Sequence, residues 1–446
     1  MAMNVRLHHL PDDVFGALAA GGGGVWGLRL LTAAQYSKHL LLLRGVVDTA
    51  AAFGHPQAAH ARHAYDLLAA IQEQAPNDVD TVVRHPAVGA WAWRTLRALH
   101  GGAAMVGAEP GRFAALAAAA AIRSRTPCTL DLPVTNGAII LPSLGVVTFP
   151  GHDSTAVVRC AADGAAVFAA SGCVRVPADP DESAPGWRPL PRIIAEASGM
   201  TLHLLIDDLD PFRMPATAKT APQLSARDIG WWRTALCEAW KLLVRYHPTT
   251  AEEIAAAIRV LTPLTSPPDG QVSASSRETF GTVALSAPHN ARLFALTLSH
   301  EVQHAKLTAV IDVVALTQPD DGRRWYAPWR DDPRPIGALL QGSYAYLGVS
   351  GFWHRQQRHE DGAAAIFAYS EFVRWQAASQ LTVTSLLASG QLTPTGEQFV
   401  AGMARALRGW EDELVPPTAR MIAKQNAERH LARWRLRNGD SAKSAK

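Results

Sequence analysis

Between Ala291 and Leu316 the chain reads ARLFALTLSHEVQHAKLTAVIDVVAL, and this segment limits the fold more than any other. Its apolar residues recur at three- and four-residue steps, so it is expected to be a helix that begins near Asn290 and is packed on most sides. The same segment carries His300, Glu301 and His304 in the order HEVQH. Burying two imidazoles and a carboxylate among Leu293, Leu296, Leu298, Val302, Leu307 and Val310 is costly unless new bonds replace the lost water. Residues four apart lie one turn above each other, so the two histidines aim their ring nitrogens at one point. A divalent metal at that point resolves the conflict. The plainer alternative is a helix with two hydrogen-bonded histidines and no ion.

The rest of the chain divides by texture. From about residue 27 to 124 the spacing is helical, as in LRLLTAAQYSKHLLLLRGVVDTAAAF and VGAWAWRTLRALHG. The alanine run Ala114 to Ala121 fits packed helix better than disorder, alanine being the strongest helix former. From Cys128 to about Leu209 short β-branched runs are broken by glycine, proline and aspartate, which predicts an antiparallel sheet. Helical spacing returns at Asp228 to Tyr246. Thr249 and Thr250 are expected to cap a helix over AEEIAAAIRVL, and GTVALSAPHN is expected to add a strand before the HEVQH helix. Further helices are predicted near 336–357, 361–389, 394–414 and 417–437, with SAKSAK as a frayed tail. The fold class is therefore α+β, mainly α-helical with a central antiparallel sheet. The expected division is an N-terminal helical region 1–126, a β-rich region 127–214, and a helical metal-binding catalytic region 215–446.

Charge excludes some functions. The 42 basic and 39 acidic residues are mixed along the chain, so nothing resembles the basic stripe that nucleic acid requires. No apolar run of about 18 residues and no secretory leader stands out, so no membrane partner is expected. Four cysteines without CxxC spacing suit a reduced, cytoplasmic setting.

Two histidines leave a metal's coordination open. Candidates for a third ligand are Tyr346, Gln341, His354 and Glu371, each of which taken alone reads more readily as structural. Asp312, two turns past His304, orients a ligand or simply caps a helix end, and the second is the simpler reading. The stretch RRWYAPWRDDPRPIGALLQGSYAYLGVSGFW sets Arg323, Arg324, Arg330 and Arg334 among aromatic residues and proline. Guanidinium forks there would hold a carboxylate on a substrate or cosubstrate. Alternatively, Arg330 pairs with Asp331 or Asp332 and only fastens the loop. With zinc, Glu301 would serve as general base of a metallopeptidase. With Fe(II), the open positions would suit an oxygenase. A third possibility is a peptide-binding scaffold with a vestigial site.

LSHEVQHAKL, then YAPWRDDPRP and the GALLQGSYAYLGVSGFW segment, resembles the α-ketoglutarate-dependent HExxH-type peptide β-hydroxylases, the HEXXH-motif peptide-modification proteins. LHHLPDDVFGALAAGGGG and SKHLLLLRGV extend the resemblance over nearly the whole chain. It implies an Fe(II) and α-ketoglutarate-dependent dioxygenase that hydroxylates the β-carbon of a residue in a ribosomally made precursor peptide. On that reading His300 and His304 bind the metal, Tyr346 stands where relatives often carry a histidine ligand, and Glu301 lies in or beside the coordination sphere. Arg330 or Arg334 holding the cosubstrate carboxylate is a chemical inference added to the resemblance.

Overall fold

The computed structural model describes residues 7–102, 107–267 and 270–439, so the expected tail SAKSAK lies outside the described residues. The chain is α+β. Six helices come first: α1 (Asp12–Ala19), α2 (Gly24–Ala52), α3 (Ala58–Gln74), α4 (Pro76–Val83), α5 (Pro86–Leu99) and α6 (Phe113–Ser124). Nine strands follow: β1 (Cys128–Pro133), β2 (Ala138–Leu141), β3 (Gly145–Thr148), β4 (Thr155–Ala161), β5 (Gly164–Ala169), β6 (Gly172–Val176), β7 (Trp187–Pro189), β8 (Arg192–Ala197) and β9 (Met200–Ile206). Then come α7 (Ala226–Tyr246), α8 (Pro248–Ala257), β10 (Val260–Leu264), β11 (Ser273–Ala274) and β12 (Thr282–Ser286). The chain finishes with α9 (Ala291–Val313), α10 (Ile336–Gln356), α11 (Gly362–Ala388), α12 (Pro394–Arg408) and α13 (Pro417–Asn438).

The expected single sheet is three sheets. The orders β1-β4-β5-β6 and β2-β3-β7 are antiparallel, whereas β11-β12-β10-β9-β8 is mixed, with β10 parallel to both β9 and β12. A parallel pair needs a crossover, which α7 and α8 supply between β9 and β10. The expected helix over AEEIAAAIRVL therefore stops at Ala257, and VLTPL becomes the central strand, buried at every position. Its start differs too. Pro248 takes the first helical position, where its fixed φ is favourable, and Thr249 and Thr250 fall inside the first turn. The helix predicted over 394–414 ends at Arg408, followed by the poor helix former Gly409.

Two apolar cores result. One gathers α1, the start of α2, β8, β9 and α7 to α12, and the other gathers the rest of α2 with α3 to α6 and the first seven strands. The divisions expected at 126/127 and 214/215 fall where secondary structure changes; the first core runs across both, and the second runs across 126/127 only. Among the described residues no single helix is long and apolar enough to cross a membrane.

Three histidines are enclosed in these cores. His39 bonds Val83 O through Nδ1 at 2.8 Å, His247 bonds Gln356 through Nε2 at 3.1 Å, and neither ring nitrogen of His85 has a hydrogen-bond partner among the described residues, Asp207 standing 3.8 Å from its Nε2. Burial pushes each pKa down to about 4, so the fold holds them neutral. Their stability contribution is complete above the ordinary value near 6.5 and is lost as pH falls toward 4. Asp207 opposes them, since burial raises its pKa to about 7 and its protonation on acidification favours the fold. Between pH 7.5 and 5.5 these three histidines, together with His300, whose pKa burial also lowers to about 4, outweigh Asp207, for a net loss on the order of 3 kcal/mol. Urea unfolding at the two pH values checks this, and an unchanged midpoint would reject it.

Candidate metal centre

Asn290 starts α9: its side chain accepts from Leu293 N at 2.9 Å and satisfies one of the free donors of the first turn. Leu298, Val302, Leu307 and Val310 are wholly buried and fix the rotation of α9. With that rotation set, His300 Nε2 and His304 Nε2 lie 3.0 Å apart. Two nitrogen donors bound about 2.1 Å from one ion at right angles are separated by about the same distance. His304 Nδ1 donates to Gln341 Oε1 at 3.2 Å, which leaves its Nε2 lone pair aimed at that shared point. Gln341 in turn reaches Thr308 Oγ1 at 3.4 Å. Burial lowers the His300 pKa to about 4, so its imidazole is in the neutral, ligand-competent form.

Glu301 is 2% exposed. Its Oε1 accepts from Ser273 Oγ at 2.7 Å, while Oε2 is buried without a hydrogen-bond partner among the described residues. A buried carboxylate oxygen left without a donor is costly, and a cation or a water held by one would relieve it. These features fit a divalent ion at the imidazole pair. Among the described residues no cluster of three or more His, Cys, Asp or Glu converges there, so the set of two histidines and one carboxylate common in iron oxygenases is not assembled from those types.

Of the third-ligand candidates, Gln341 bonds His304 Nδ1, and Tyr346 has its ring 5.2 Å from that of His300. Trp329 stacks on one side of Tyr346 at 4.7 Å, and Trp375 packs at 4.3 Å. Burial pushes the phenol up to about 12, so it is protonated at neutral pH unless a cation beside it pulls the other way. The remaining candidates are engaged elsewhere. His354 bonds Glu413 at 2.8 Å and stacks on Trp410. Glu371 accepts from Trp375 Nε1 at 2.8 Å and sits 3.6 Å from Arg374. Asp312 neither caps a helix end nor orients a ligand: it binds Lys38, Gln35 and Arg277, tying α2 and a loop to α9.

The loop after α9 is pinched at its base by reciprocal backbone bonds between Trp325 and Arg334, at 2.8 and 2.9 Å. Asp332 bridges Arg330 at 3.0 Å and Arg334 at 2.8 Å, and Asp331 pairs with Arg437 and Arg433. Arg330 thus fastens the loop, as the simpler reading expected, yet it also lines a cleft of about 480 Å³ with Trp329, Tyr346, Arg374, Trp375 and Arg433. Arg334 shares Asp332 but is not among the residues lining that cleft. Sequence reasoning missed Arg374, Trp375 and Ser273. Their separation from the motif hid them, though the RW pair on an apolar helix was a signal.

Trp329 has its place because Gly342 has no side chain. A Cβ there would meet the indole at 2.4 to 2.5 Å. Gly342→Ala is expected to cost about 1–3 kcal/mol, as overpacking does, and to shift tryptophan fluorescence to the red as Trp329 leaves Tyr346. Wild-type stability together with an unshifted spectrum would reject this role. Compared with known protein families and with curated proteins, the chain matches none.

Proposed function

We propose that this chain is an Fe(II) and α-ketoglutarate-dependent oxygenase that hydroxylates the β-carbon of a residue in a ribosomally made precursor peptide. The observation that carries the reading is the convergence of His300 and His304 at 3.0 Å beside a cleft lined by arginine and aromatic side chains. His300 and His304 would hold the ion, with Tyr346 as the proposed third ligand. The bound iron would supply oxygen activation: one oxygen atom enters the peptide C–H bond, and the other enters succinate as α-ketoglutarate loses carbon dioxide.

The protein's own groups do the rest. Arg330 is exposed and its pairing with Asp332 is solvent-facing, a type of contact worth little, so it is free to exchange Asp332 for the carboxylate of the cosubstrate. Trp329, Tyr346 and Trp375 form the aromatic side of the cleft. Gln341 keeps the His304 proton on Nδ1. Ser273 holds one oxygen of Glu301 and leaves the other able to accept a proton or a water.

That free oxygen also favours a second reading, a zinc peptidase with Glu301 as general base. Product analysis separates the two. Protein reconstituted with Fe(II) without oxygen, then given α-ketoglutarate, air and a candidate precursor peptide, should release succinate and add one oxygen to an intact peptide. His300→Ala should abolish both. Peptide fragments with stoichiometric zinc and no succinate would overturn the oxygenase. Arg330→Ala should raise the requirement for α-ketoglutarate about tenfold or more while iron stays bound; an unchanged requirement would remove Arg330 from that role.

A further inference from the structure

The cleft beside the imidazoles does not end at Trp375. Pro328, Arg374, Trp375 and His430 also line a second hollow of about 370 Å³ that runs on between α11 and α13. Its floor is apolar, formed by Val373, Ala378 and Leu381 from α11 and by Ala423, Ala427 and Leu431 from α13. Ala423 and Ala427 are one turn apart and keep the α13 wall low, so the hollow stays open. Leu381 is 50% exposed within it, an apolar surface left to water.

The rim has the opposite character. Arg374, Arg420 and Lys424 border the hollow, and the one acid among its lining residues, Glu428, stands 3.9 Å from Lys424. Arg420 has no ion-pair partner among the described residues. The helix α13 as a whole carries six basic residues and one acidic residue. A formal charge of only +3 for the whole chain conceals this local excess. Asp331 occupies Arg433 and Arg437, and Arg374 stands 3.6 Å from Glu371, so the rim offers Arg420 without a competing acid among the described residues and Arg374 and Lys424 in loose, exchangeable pairs.

An apolar floor between cationic rims selects an extended segment that turns apolar side chains down and carboxylates outward. We propose that the groove between α11 and α13 binds a part of the peptide substrate in which apolar residues alternate with Asp or Glu, and that it thereby presents a neighbouring residue to His300 and His304. This rests on the reading of the protein as a peptide-modifying enzyme, and it adds where the peptide lies and what chemistry marks it.

The test uses the full chain and two labelled synthetic peptides, one alternating Leu and Glu and the other with Lys in place of each Glu, followed by fluorescence anisotropy without metal or α-ketoglutarate. The acidic peptide should bind, and the lysine peptide should bind at least about tenfold more weakly. Arg420→Glu with Lys424→Glu should weaken the acidic peptide by a similar factor and restore binding of the lysine peptide. Ala427→Trp, which fills the floor without changing charge, should weaken both. All three positions are exposed, and a thermal melt confirms that the variants fold. No binding, equal binding of the two peptides, or variants that bind as wild type does would overturn the groove. Binding that behaves as expected while no oxygen is transferred would instead overturn the oxygenase alone. Oxygen transfer at undiminished kcat/KM in both groove variants would reject the groove alone.

Discussion

His304→Ala is expected to abolish stoichiometric binding of a divalent metal, the larger of two graded losses at the same point. The Nε2 atoms of His300 and His304 stand 3.0 Å apart, and removing one leaves a single imidazole where two had converged. Gln341→Leu keeps both ligands but removes the acceptor that fixes the His304 proton on Nδ1, and loss of such support costs roughly 10–100-fold in affinity. His304→Ala should exceed that range, so the order wild type, Gln341→Leu, His304→Ala is itself the prediction. Metal content after dialysis and the visible spectrum of the cobalt-loaded protein read it directly. The measurement needs no substrate, so it judges the metal centre apart from the oxygenase reading. Equimolar, undiminished metal in His304→Ala would mean that the helix carries two hydrogen-bonded histidines and nothing more.

How much of this was legible in the sequence follows from how local each signal is. The helix over His300 and His304 was visible because its apolar period and its Asn290 cap lie within a few residues of each other. α7, α10, α11 and α13 were visible for the same reason. The strand β10 was not. Central parallel strands are buried on both faces and lose alternation, so VLTPL read as the end of a helix. At the site, Tyr346 and Gln341 were reachable as candidates because α10 follows the motif closely. Nothing near His354 shows that Glu413 will claim it, and nothing near Glu301 announces Ser273, since those pairings arise only when distant elements pack.

Lys306→Ala is expected to destabilise the fold by about 3–5 kcal/mol, because it strands a buried charge. Lys306 is wholly buried, and its three ammonium protons go to Gly21 O at 2.8 Å, Gly22 O at 2.9 Å and Glu253 Oε2 at 2.7 Å. The other oxygen of Glu253 accepts from Gly24 N at 3.0 Å, and Gln303 Nε2 also donates to Gly21 O. The loop between α1 and α2 thus closes onto α9 through one saturated ion pair. Its glycines make that possible, since Gly21 and Gly23 adopt φ of +85° and +116°, where other residues are strained. Glu253→Gln combined with Lys306→Met should recover much of the loss, since no unpaired charge remains, though the loop carbonyls still lack donors. Urea denaturation of Glu253→Gln, of Lys306→Met and of the double variant gives the coupling. A small loss in Lys306→Ala, or no recovery in the double variant, would mean that water reaches Glu253 and that the ion pair does not hold α9 in place. If the loss is large, the imidazoles should feel it as well: they project from the same helix one turn away, so metal affinity should fall with stability rather than independently of it.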